Sequence, residues 1–251
     1  MSFFLEGFLV EHYEEVSSTM EVAKNLANKG APDLTVVWAD TQYKGKGRFN
    51  RSWVSPKGGL WISIILRPSI PPDKSFLMTF VGAISTCVTF REYGLETCIK
   101  WPNDIIFKDK KISGILLESR IRNDGIEYLV MGIGANINNS VSEMPEELRK
   151  SSTSFVDEKG EEIPIDIFLK SLLRNIRIFY NYIRRGDYKS LIERWKILSC
   201  TLNREVLVID REGRRLQGIA VDVDENDGAL IVRTNKGPIR VTDLNSIRHL
   251  T

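Results

Sequence analysis

The spacing of apolar residues predicts alternating strands and helices over residues 1–200. In Ser17-Ser18-Thr19-Met20-Glu21 a hydroxyl residue is followed three positions later by Glu, as in a capping box, so a helix is predicted to begin near Ser18. Apolar runs rich in β-branched or aromatic residues predict strands at 34–39, 59–66, 115–118 and 128–132. Longer apolar patterns predict helices at 75–93, 166–184 and 188–198.

After Asn203 the pattern changes to short strands separated by turns that contain glycine. Strands are predicted at 206–210, 216–223, 229–234 and 238–241, with Asn-Asp-Gly and Asn-Lys-Gly turns between the later ones. Closely spaced hairpins of this kind are typical of a small β-barrel. The fold class predicted is therefore α+β, with a first domain at 1–200 and a C-terminal barrel at 201–251.

Composition narrows the class of protein. The 251 residues include 42% hydrophobic and 27% charged residues, enough for a large core, and the formal charge of +2 argues against a generally basic nucleic-acid-binding face. Three widely spaced cysteines favour reduced thiols over a disulfide framework. No convincing signal peptide or membrane-spanning run occurs, so we expect a cytoplasmic protein that does not act on a membrane.

Only two histidines, His12 and His249, are present, which argues against a histidine-rich metal site and against a Ser-His-Asp triad. No Cys-x-x-Cys pair occurs either. The sequence therefore predicts no metal ion held by protein ligands alone.

A basic loop at 44–56 carries the first chemical signal. It reads K-G-K-G-R-F-N-R-S-W-V-S-P, with four basic residues and no acid. Its glycines let the backbone approach a ligand, arginines suit phosphate oxygens, and Trp53 offers a flat face to a heteroaromatic base. Taken alone, the loop is better explained as a solvated hairpin tip with a core tryptophan than as a ligand-binding loop. It is not a Walker loop.

Two further motifs follow. Lys100-Trp101-Pro102-Asn103-Asp104 places a cation, an amide and a carboxylate together, and Lys111 and Gly114 come soon after. The run 132–138, G-I-G-A-N-I-N, places amide side chains at the end of an apolar strand. Each has a plain structural interpretation as a turn or a surface residue when it is considered singly.

In this order the motifs resemble the catalytic domain of the biotin–protein ligases. That family carries an S-S-T-N element, a G-R-G-R-x-x-R-x-W-x-S-P loop, K-W-P-N-D, K-x-x-G-I-L and G-I-G-x-N. Here they appear at 17–20, 45–56, 100–104, 111–116 and 132–136, with a weaker match through the C-terminal barrel. The resemblance implies a mixed-sheet biotin/lipoate-ligase-type domain followed by an SH3-like barrel. It also implies formation of biotinyl-5'-AMP from biotin and ATP, with Mg²⁺, and transfer of biotin to a lysine of a biotin carboxyl carrier protein.

The resemblance also implies a role for each motif. Biotin would be bound by Ser18, Thr19, Gln42, Gly45, Lys46, Arg48, Lys111, Gly114 and Ile115. The nucleotide would be bound by Arg48, Arg51, Trp53, Asn103, Lys111, Asn136 and Arg248, with Trp53 near the adenine. Lys111, Arg48 and Asp104 would be catalytic. Lys111 would lie between the biotin carboxylate and the α-phosphate, where a fixed cation lowers the repulsion between two anions. Asp104 would orient the acceptor lysine or take its proton, although a turn-capping role fits it equally well.

The chain departs from the family pattern at Met20, Lys46 and the pair Phe49-Asn50. Loss of glycine at position 50 predicts a stiffer loop. The chain begins close to the Ser-Ser-Thr element, so we expect no N-terminal winged helix and no DNA binding. Family members are often dimers, so a homodimer is a further expectation.

Three alternatives remain at this point. A lipoate ligase or octanoyltransferase would share the fold, but those families favour a histidine-containing strand motif, and the central part of the chain has no histidine. A single-strand nucleic-acid binder would explain the basic loop but not Lys111. The C-terminal barrel would also suit an interaction module, which is compatible with a ligase.

Overall fold

The fold is α+β, as predicted, with a large mixed sheet and a small C-terminal antiparallel sheet. The computed structural model describes residues 1–123, 125–209, 212–242 and 246–250. The strands of the large sheet are β1 Ser2–Leu5, β2 Phe8–Val16, β3 Thr35–Gln42, β4 Leu60–Leu66, β5 Cys98–Lys100, β6 Asp104–Phe107, β7 Lys110–Arg122 and β8 Gly125–Ala135. Their order is β1-β2-β3-β4-β8-β7-β6-β5. β2 and β3 are parallel, and the other neighbours are antiparallel.

Helices cover both faces of the large sheet. They are α1 Thr19–Asn28, α2 Leu77–Glu92, α3 Glu146–Arg149, α4 Phe155–Lys159, α5 Ile165–Arg184 and α6 Tyr188–Leu198. Successive residues of a strand point to opposite faces, so Val36 packs in the core under α2, α5 and α6, whereas Val37 packs against α1. The predicted helices at 75–93, 166–184 and 188–198 are confirmed within a few residues at their ends.

The C-terminal sheet contains five antiparallel strands in the order β12-β11-β10-β9-β13. They are β9 Glu205–Ile209, β10 Arg215–Val223, β11 Leu230–Thr234, β12 Gly237–Val241 and β13 Ser246–His249. β10 pairs with β9 along its first half and with β11 along its second half, with a bulge near Ala220. Such a shared, bent strand is how a small sheet curls around its own core. The predicted ends at Asp210 and Thr251 lie outside the described residues.

The small sheet packs against the end of the large one. Two N–H groups of Trp101 donate hydrogen bonds to segments that flank its strands, the backbone N–H to Thr201 Oγ1 before β9 (2.9 Å) and Nε1 to the Gly228 carbonyl between β10 and β11 (3.1 Å). Lys196 of α6 also pairs with Asp222 of β10 at 2.9 Å. Among the described residues, no helix is long and apolar enough to cross a membrane.

Candidate active site

A cavity of about 520 Å³ lies on the face of the large sheet that carries α1. Glycines make the room for it: Gly114, Gly132 and Gly134 lie on adjacent strands and line the cavity, where any other residue would project a side chain into it. The remaining wall comes from the start of α1, the basic loop, the K-W-P-N-D turn and β13. The predicted site residues that line the cavity are Ser18, Thr19, Gln42, Lys46, Arg48, Arg51, Trp53, Asn103, Asp104, Lys111, Gly114, Ile115, Asn136 and Arg248.

Gly45 is the one predicted residue that is not on the cavity wall. A Cβ at this position would lie 2.3 Å from the Trp53 carbonyl oxygen and 2.8 Å from Ser55 Oγ. The Gly45 carbonyl also accepts a hydrogen bond from the Trp53 N–H at 2.9 Å. Gly45 therefore lets the two sides of the basic loop come together behind the cavity.

The basic loop is folded back on itself. Isolated bridges join Gln42 to Ser55 and Lys46 to Ser52. At the tip, Phe49 and Asn50 have φ values of 56° and 57°, in the left-handed region. Asparagine tolerates this conformation well, whereas a bulky residue such as Phe49 adopts it at a cost in strain. The Phe49 ring is half-exposed and lies 4.8 Å from the Arg48 guanidinium.

A salt bridge between Lys111 and Asp104 lies in the middle of the cavity wall. Lys111 Nζ is 2.6 Å from Asp104 Oδ1 and 5.0 Å from the ring centre of Trp53. A register shift between β6 and β7 explains this position: Asp104 pairs with Gly114, but Ile106 pairs with Lys111. Without the extra residue, Ile112 would occupy that place, because a shift of one residue exchanges the two faces of a strand.

The K-W-P-N-D turn is fixed to β7 by Asn103. The Asn103 amide donates to the Ile115 carbonyl at 2.6 Å, and the Ile115 N–H donates to the Asn103 carbonyl at 2.9 Å. The side-chain oxygen of Asn103 accepts a hydrogen bond from Arg48 Nη1 at 3.0 Å. Asn103 thus links the turn, β7 and the basic loop.

At the α1 end of the cavity, a polar network surrounds Gln42. Gln42 Oε1 accepts hydrogen bonds from the Thr19 N–H (2.8 Å) and Thr19 Oγ1 (3.1 Å), and Gln42 Nε2 donates to Ser55 Oγ (2.8 Å). Thr19 Oγ1 also meets Ser63 Oγ at 2.8 Å. These bonds fix the orientation of the Gln42 amide at the cavity wall.

The predicted capping box at Ser18 is wrong, although α1 does begin where the motif predicts. Ser18 is the residue before the helix and caps it with no side-chain hydrogen bond. The Glu21 carboxylate is instead held by Lys24 at 2.6 Å and by Lys46 of the basic loop. Ser18 Oγ is consequently buried with no protein partner, on a residue that lines the cavity.

The opposite end of the cavity contains residues that the sequence did not single out. The segment after β8 contributes Met144, Leu148, Ser151 and Ser152 to the wall. It is anchored to Lys111, whose N–H donates to the Ser151 carbonyl at 2.9 Å. In the sequence, this segment is marked only by Met144 and Leu148, two apolar residues four positions apart among polar ones. That pattern is equally typical of an ordinary short helix, so it did not predict a surface that faces a ligand.

Asn136 lies next to this segment, and Arg248 lines the cavity from the C-terminal sheet. Asn136 is buried, its Nδ2 donates to the Thr153 carbonyl at 3.0 Å, and its Oδ1 accepts from Asn139 at 3.2 Å. Arg248, on β13, is an exposed residue of the cavity rim. The Asn136 side chain is therefore fixed in the wall by its hydrogen bonds to Thr153 and Asn139. Arg248 reaches the cavity from the C-terminal sheet.

Trp53 packs flat against the glycine floor. A Cβ on Gly134 would lie 2.5 Å from Trp53 Nε1, and a Cβ on Gly114 would lie 3.1 Å from its ring. Trp53 Nε1 is buried with no protein partner. The indole therefore lies beside Lys111 at the centre of the cavity.

The cavity is locally electropositive. Burial lowers the pKa of Lys100, and the neighbouring Lys111 and Arg248 lower it further, against the attraction of Asp104 and Cys200. Asp104 is the acidic group closest to Lys111, and it is occupied by a salt bridge. A negatively charged ligand is the kind that this wall attracts.

Comparisons with known proteins identify the family of the chain. Residues 13–136 match the model of the biotin/lipoate A/B protein ligase family, and residues 201–250 match the biotin protein ligase C-terminal domain. The chain is 34% identical over 228 residues to the bifunctional ligase/repressor BirA of Bacillus subtilis, covering 90% of this chain and 70% of that one. It is 35% identical over 120 residues to the biotin–[acetyl-CoA-carboxylase] ligase of Paracoccus denitrificans, covering 44% of this chain and 49% of that one.

A solved structure shows the same fold along almost the whole chain. The biotin protein ligase from Aquifex aeolicus in complex with biotin and ATP superposes with a TM-score of 0.82 at 26% identity, covering 96% of this chain and 98% of that one. The matched ranges include the basic loop, the K-W-P-N-D turn and the C-terminal sheet. The chain therefore belongs to the biotin protein ligase family and is a ligase.

Proposed function

We propose that this cavity is where the ligase joins biotin to the α-phosphate of ATP, giving biotinyl-5'-AMP, before biotin passes to a carrier lysine. The observation that carries the proposal is the position of Lys111. Its ammonium group lies beside Gly114, which pairs with Gly134 of β8, between Gly132 next to α1 and Asn136 beyond the end of that strand. A cation at this position is between the two places where the reacting partners would bind.

The end near α1 suits the ureido ring of biotin. Ser18 Oγ is a buried hydroxyl with no protein partner, and such a group gains most from a ligand that completes its hydrogen bonds. Thr19 and Gln42 hold one another in fixed orientations beside it. Trp53 and the glycine floor then provide an apolar channel for the aliphatic chain, leading toward Lys111. This position supports a contact of Trp53 with the biotin chain, in addition to the nucleotide contact predicted for it.

The other end suits ATP. Arg48, Arg51 and Arg248 line the cavity and offer charged donors to phosphate oxygens. Asn103 contributes through its hydrogen bond with Arg48, since its amide is used by the backbone of β7. Met144 and Leu148 offer an apolar surface that a purine ring would cover. Mg²⁺ enters with ATP as the counter-ion of its phosphates, the ligands that this ion prefers together with water and one or two carboxylates.

The chemistry follows from this placement. The biotin carboxylate attacks the α-phosphorus, a bond forms between its oxygen and phosphorus, and pyrophosphate leaves with the electron pair. Lys111 lowers the repulsion between the two anions, and Arg48 and Arg51 stabilise the charge that moves onto the leaving group. The carrier lysine then attacks the mixed anhydride as a neutral amine, and AMP leaves.

Asp104 is the residue available to receive the proton of the carrier lysine. Its carboxylate lies in the cavity wall beside Lys111, about a quarter exposed. Asp104→Asn is expected to slow transfer from preformed biotinyl-5'-AMP to a carrier domain while adenylate formation continues. Normal transfer by this variant would remove Asp104 from the second step and leave it as the partner of Lys111.

The acceptor would be the biotin carboxyl carrier domain of a carboxylase, as the names of the relatives indicate. The three cysteines are free thiols, which agrees with a reducing cytoplasmic compartment. Incubation with a recombinant carrier domain, biotin and MgATP is expected to add one biotin to the carrier, detected by its mass. Modification with lipoate in place of biotin would contradict the assignment of the substrate.

A further inference from the structure

The K-W-P-N-D turn depends on the C-terminal sheet for the position of Trp101. This residue is 2% exposed, and both of its N–H groups donate to residues outside the large sheet, Thr201 Oγ1 at 2.9 Å and the Gly228 carbonyl at 3.1 Å. Asn103 and Asp104 follow two and three residues later. A change at Thr201 therefore acts on Trp101, which is close enough along the chain to Asn103 and Asp104 to move the polar groups of the turn.

The hydroxyl of Thr201 also contacts β13. Thr201 is fully buried, and its Oγ1 lies 3.0 Å from Nε2 of His249. Since the Thr201 oxygen already accepts the Trp101 N–H, its own hydrogen is available to donate to His249. That bond needs an unprotonated Nε2, and the ring is neutral at neutral pH because burial, with help from Lys100 and Arg204 and against Asp109, lowers the pKa of His249 to about 4.

His249 is the neighbour of Arg248, the cavity residue of β13. Adjacent residues of a strand point to opposite sides, so His249 faces Thr201 while Arg248 faces the cavity. β13 is an edge strand that pairs only with β9 in the described sheet. Contacts such as that of His249 therefore fix where Arg248 stands relative to the K-W-P-N-D turn.

We propose that Thr201 is a positioning residue for adenylation. Its hydroxyl joins the K-W-P-N-D turn to β13, so that Asn103 and Arg248 are held at a fixed separation on either side of the nucleotide. This inference rests on the proposed role of Arg248 at the nucleotide. Thr201 itself does not line the cavity and contacts no substrate.

The test compares Thr201→Val, which keeps the shape but removes the hydroxyl, with Thr201→Ser, which keeps it. Biotin-dependent ATP–pyrophosphate exchange is measured over a range of ATP and of biotin concentrations, with thermal unfolding in parallel. We expect Thr201→Val to raise the KM for ATP by about tenfold, the scale of one lost buried hydrogen bond, with the KM for biotin unchanged. Thr201→Ser should restore the wild-type KM. Thr234→Val is the matched control, because the Thr234 hydroxyl bonds within its own hairpin, where it donates to the Gly237 carbonyl and accepts from the Lys236 N–H.

His249→Ala supplies a second variant that does not disturb the buried Thr201 side chain. It should raise the KM for ATP as Thr201→Val does, and combining the two should add little. An equal rise in both KM values, or no rise in the KM for ATP in folded Thr201→Val and His249→Ala, would overturn the proposal.

Arg248→Ala separates this inference from the proposed site. If Thr201 acts through Arg248, Thr201→Val should weaken ATP binding much less in the Arg248→Ala background than in the wild type. Fully additive effects would refute the connection and leave the role of Arg248 intact. An Arg248→Ala enzyme with a normal KM for ATP would refute both.

Discussion

Lys111→Met is the substitution that tests the charge at the centre of the cavity. Methionine keeps most of the length and apolar contact of the side chain but removes the ammonium group, which lies 2.6 Å from Asp104 and 5.0 Å from the ring of Trp53. Two unit charges 4 Å apart interact by about 4 kcal/mol at the effective dielectric constant of a partly buried site. Loss of one preorganised charged donor in an active site typically costs about 10²- to 10³-fold in rate.

The structure adds a second cost. Without Lys111, the Asp104 carboxylate remains in the wall with its charge uncompensated by the ammonium group, next to the place where the biotin carboxylate is proposed to lie. We therefore expect Lys111→Met to lower the rate of biotinyl-5'-AMP formation by about 10²-fold or more. Adding Asp104→Asn to Lys111→Met should recover part of the loss in biotin binding, because it removes the repulsive carboxylate.

The assay is single-turnover formation of biotinyl-5'-AMP, with enzyme in excess over labelled ATP. Lys110→Met is the matched control, because Lys110 is the next residue along the chain and is exposed, so its loss should leave the rate unchanged. A Lys111→Met rate close to the rate of this control would show that Lys111 is not needed and that another cation screens the two anions.

Three further predictions concern the glycine floor, the basic loop and the buried contact of His249. Gly134→Ala would place a Cβ 2.5 Å from Trp53 Nε1, so the indole must move and biotin binding measured by calorimetry should weaken. Gly125→Ala is the control and should bind biotin normally, because its Cβ would meet nothing closer than 3.8 Å. Glu21→Gln removes the charge that holds Lys46, so trypsin should cut the ligand-free basic loop faster than in the wild type, and an unchanged rate would contradict this restraint. The pKa of His249 is lowered to about 4 from 6.5, so the unfolded state binds more protons between these values and stability should fall as the pH drops from 6.5 to 4. The slope of the free energy of unfolding against pH should be well below the single-proton limit of about 1.4 kcal/mol per pH unit, since the ring is only partly buried. A His249→Gln protein with the same slope as the wild type would contradict this prediction.

The core strands of the large sheet were predictable because their side chains are apolar on both faces. β4 is buried along its whole length, and β8 along most of it, so each appears in the sequence as a continuous apolar run. β1 and β2 were missed, because β2 carries charged residues along an outer part of the sheet where one face is partly exposed. β5 and β6 are only three and four residues long, too short for a periodic signal.

The site was predictable where its chemistry is local in the sequence. The basic loop, the K-W-P-N-D turn and Lys111 each lie within a short segment, and the resemblance assigned them together. Its tertiary features were not predictable. The bulge that turns Lys111 toward Asp104 depends on the register between β6 and β7, which no local pattern encodes. Glu21 is drawn from its predicted cap by Lys24 on its own helix and by Lys46 of the basic loop, and only the first of these contacts is local in the sequence.

Ligand-dependent exchange of pyrophosphate into ATP, run in parallel with biotin, lipoate and octanoate, tests whether this cavity makes biotinyl-5'-AMP. We expect rapid exchange with biotin alone, because Ser18, Thr19 and Gln42 provide hydrogen bonds that an aliphatic acid cannot use. No exchange with biotin, or a clear preference for lipoate, would show that the fold was assigned correctly but the substrate of the cavity was not.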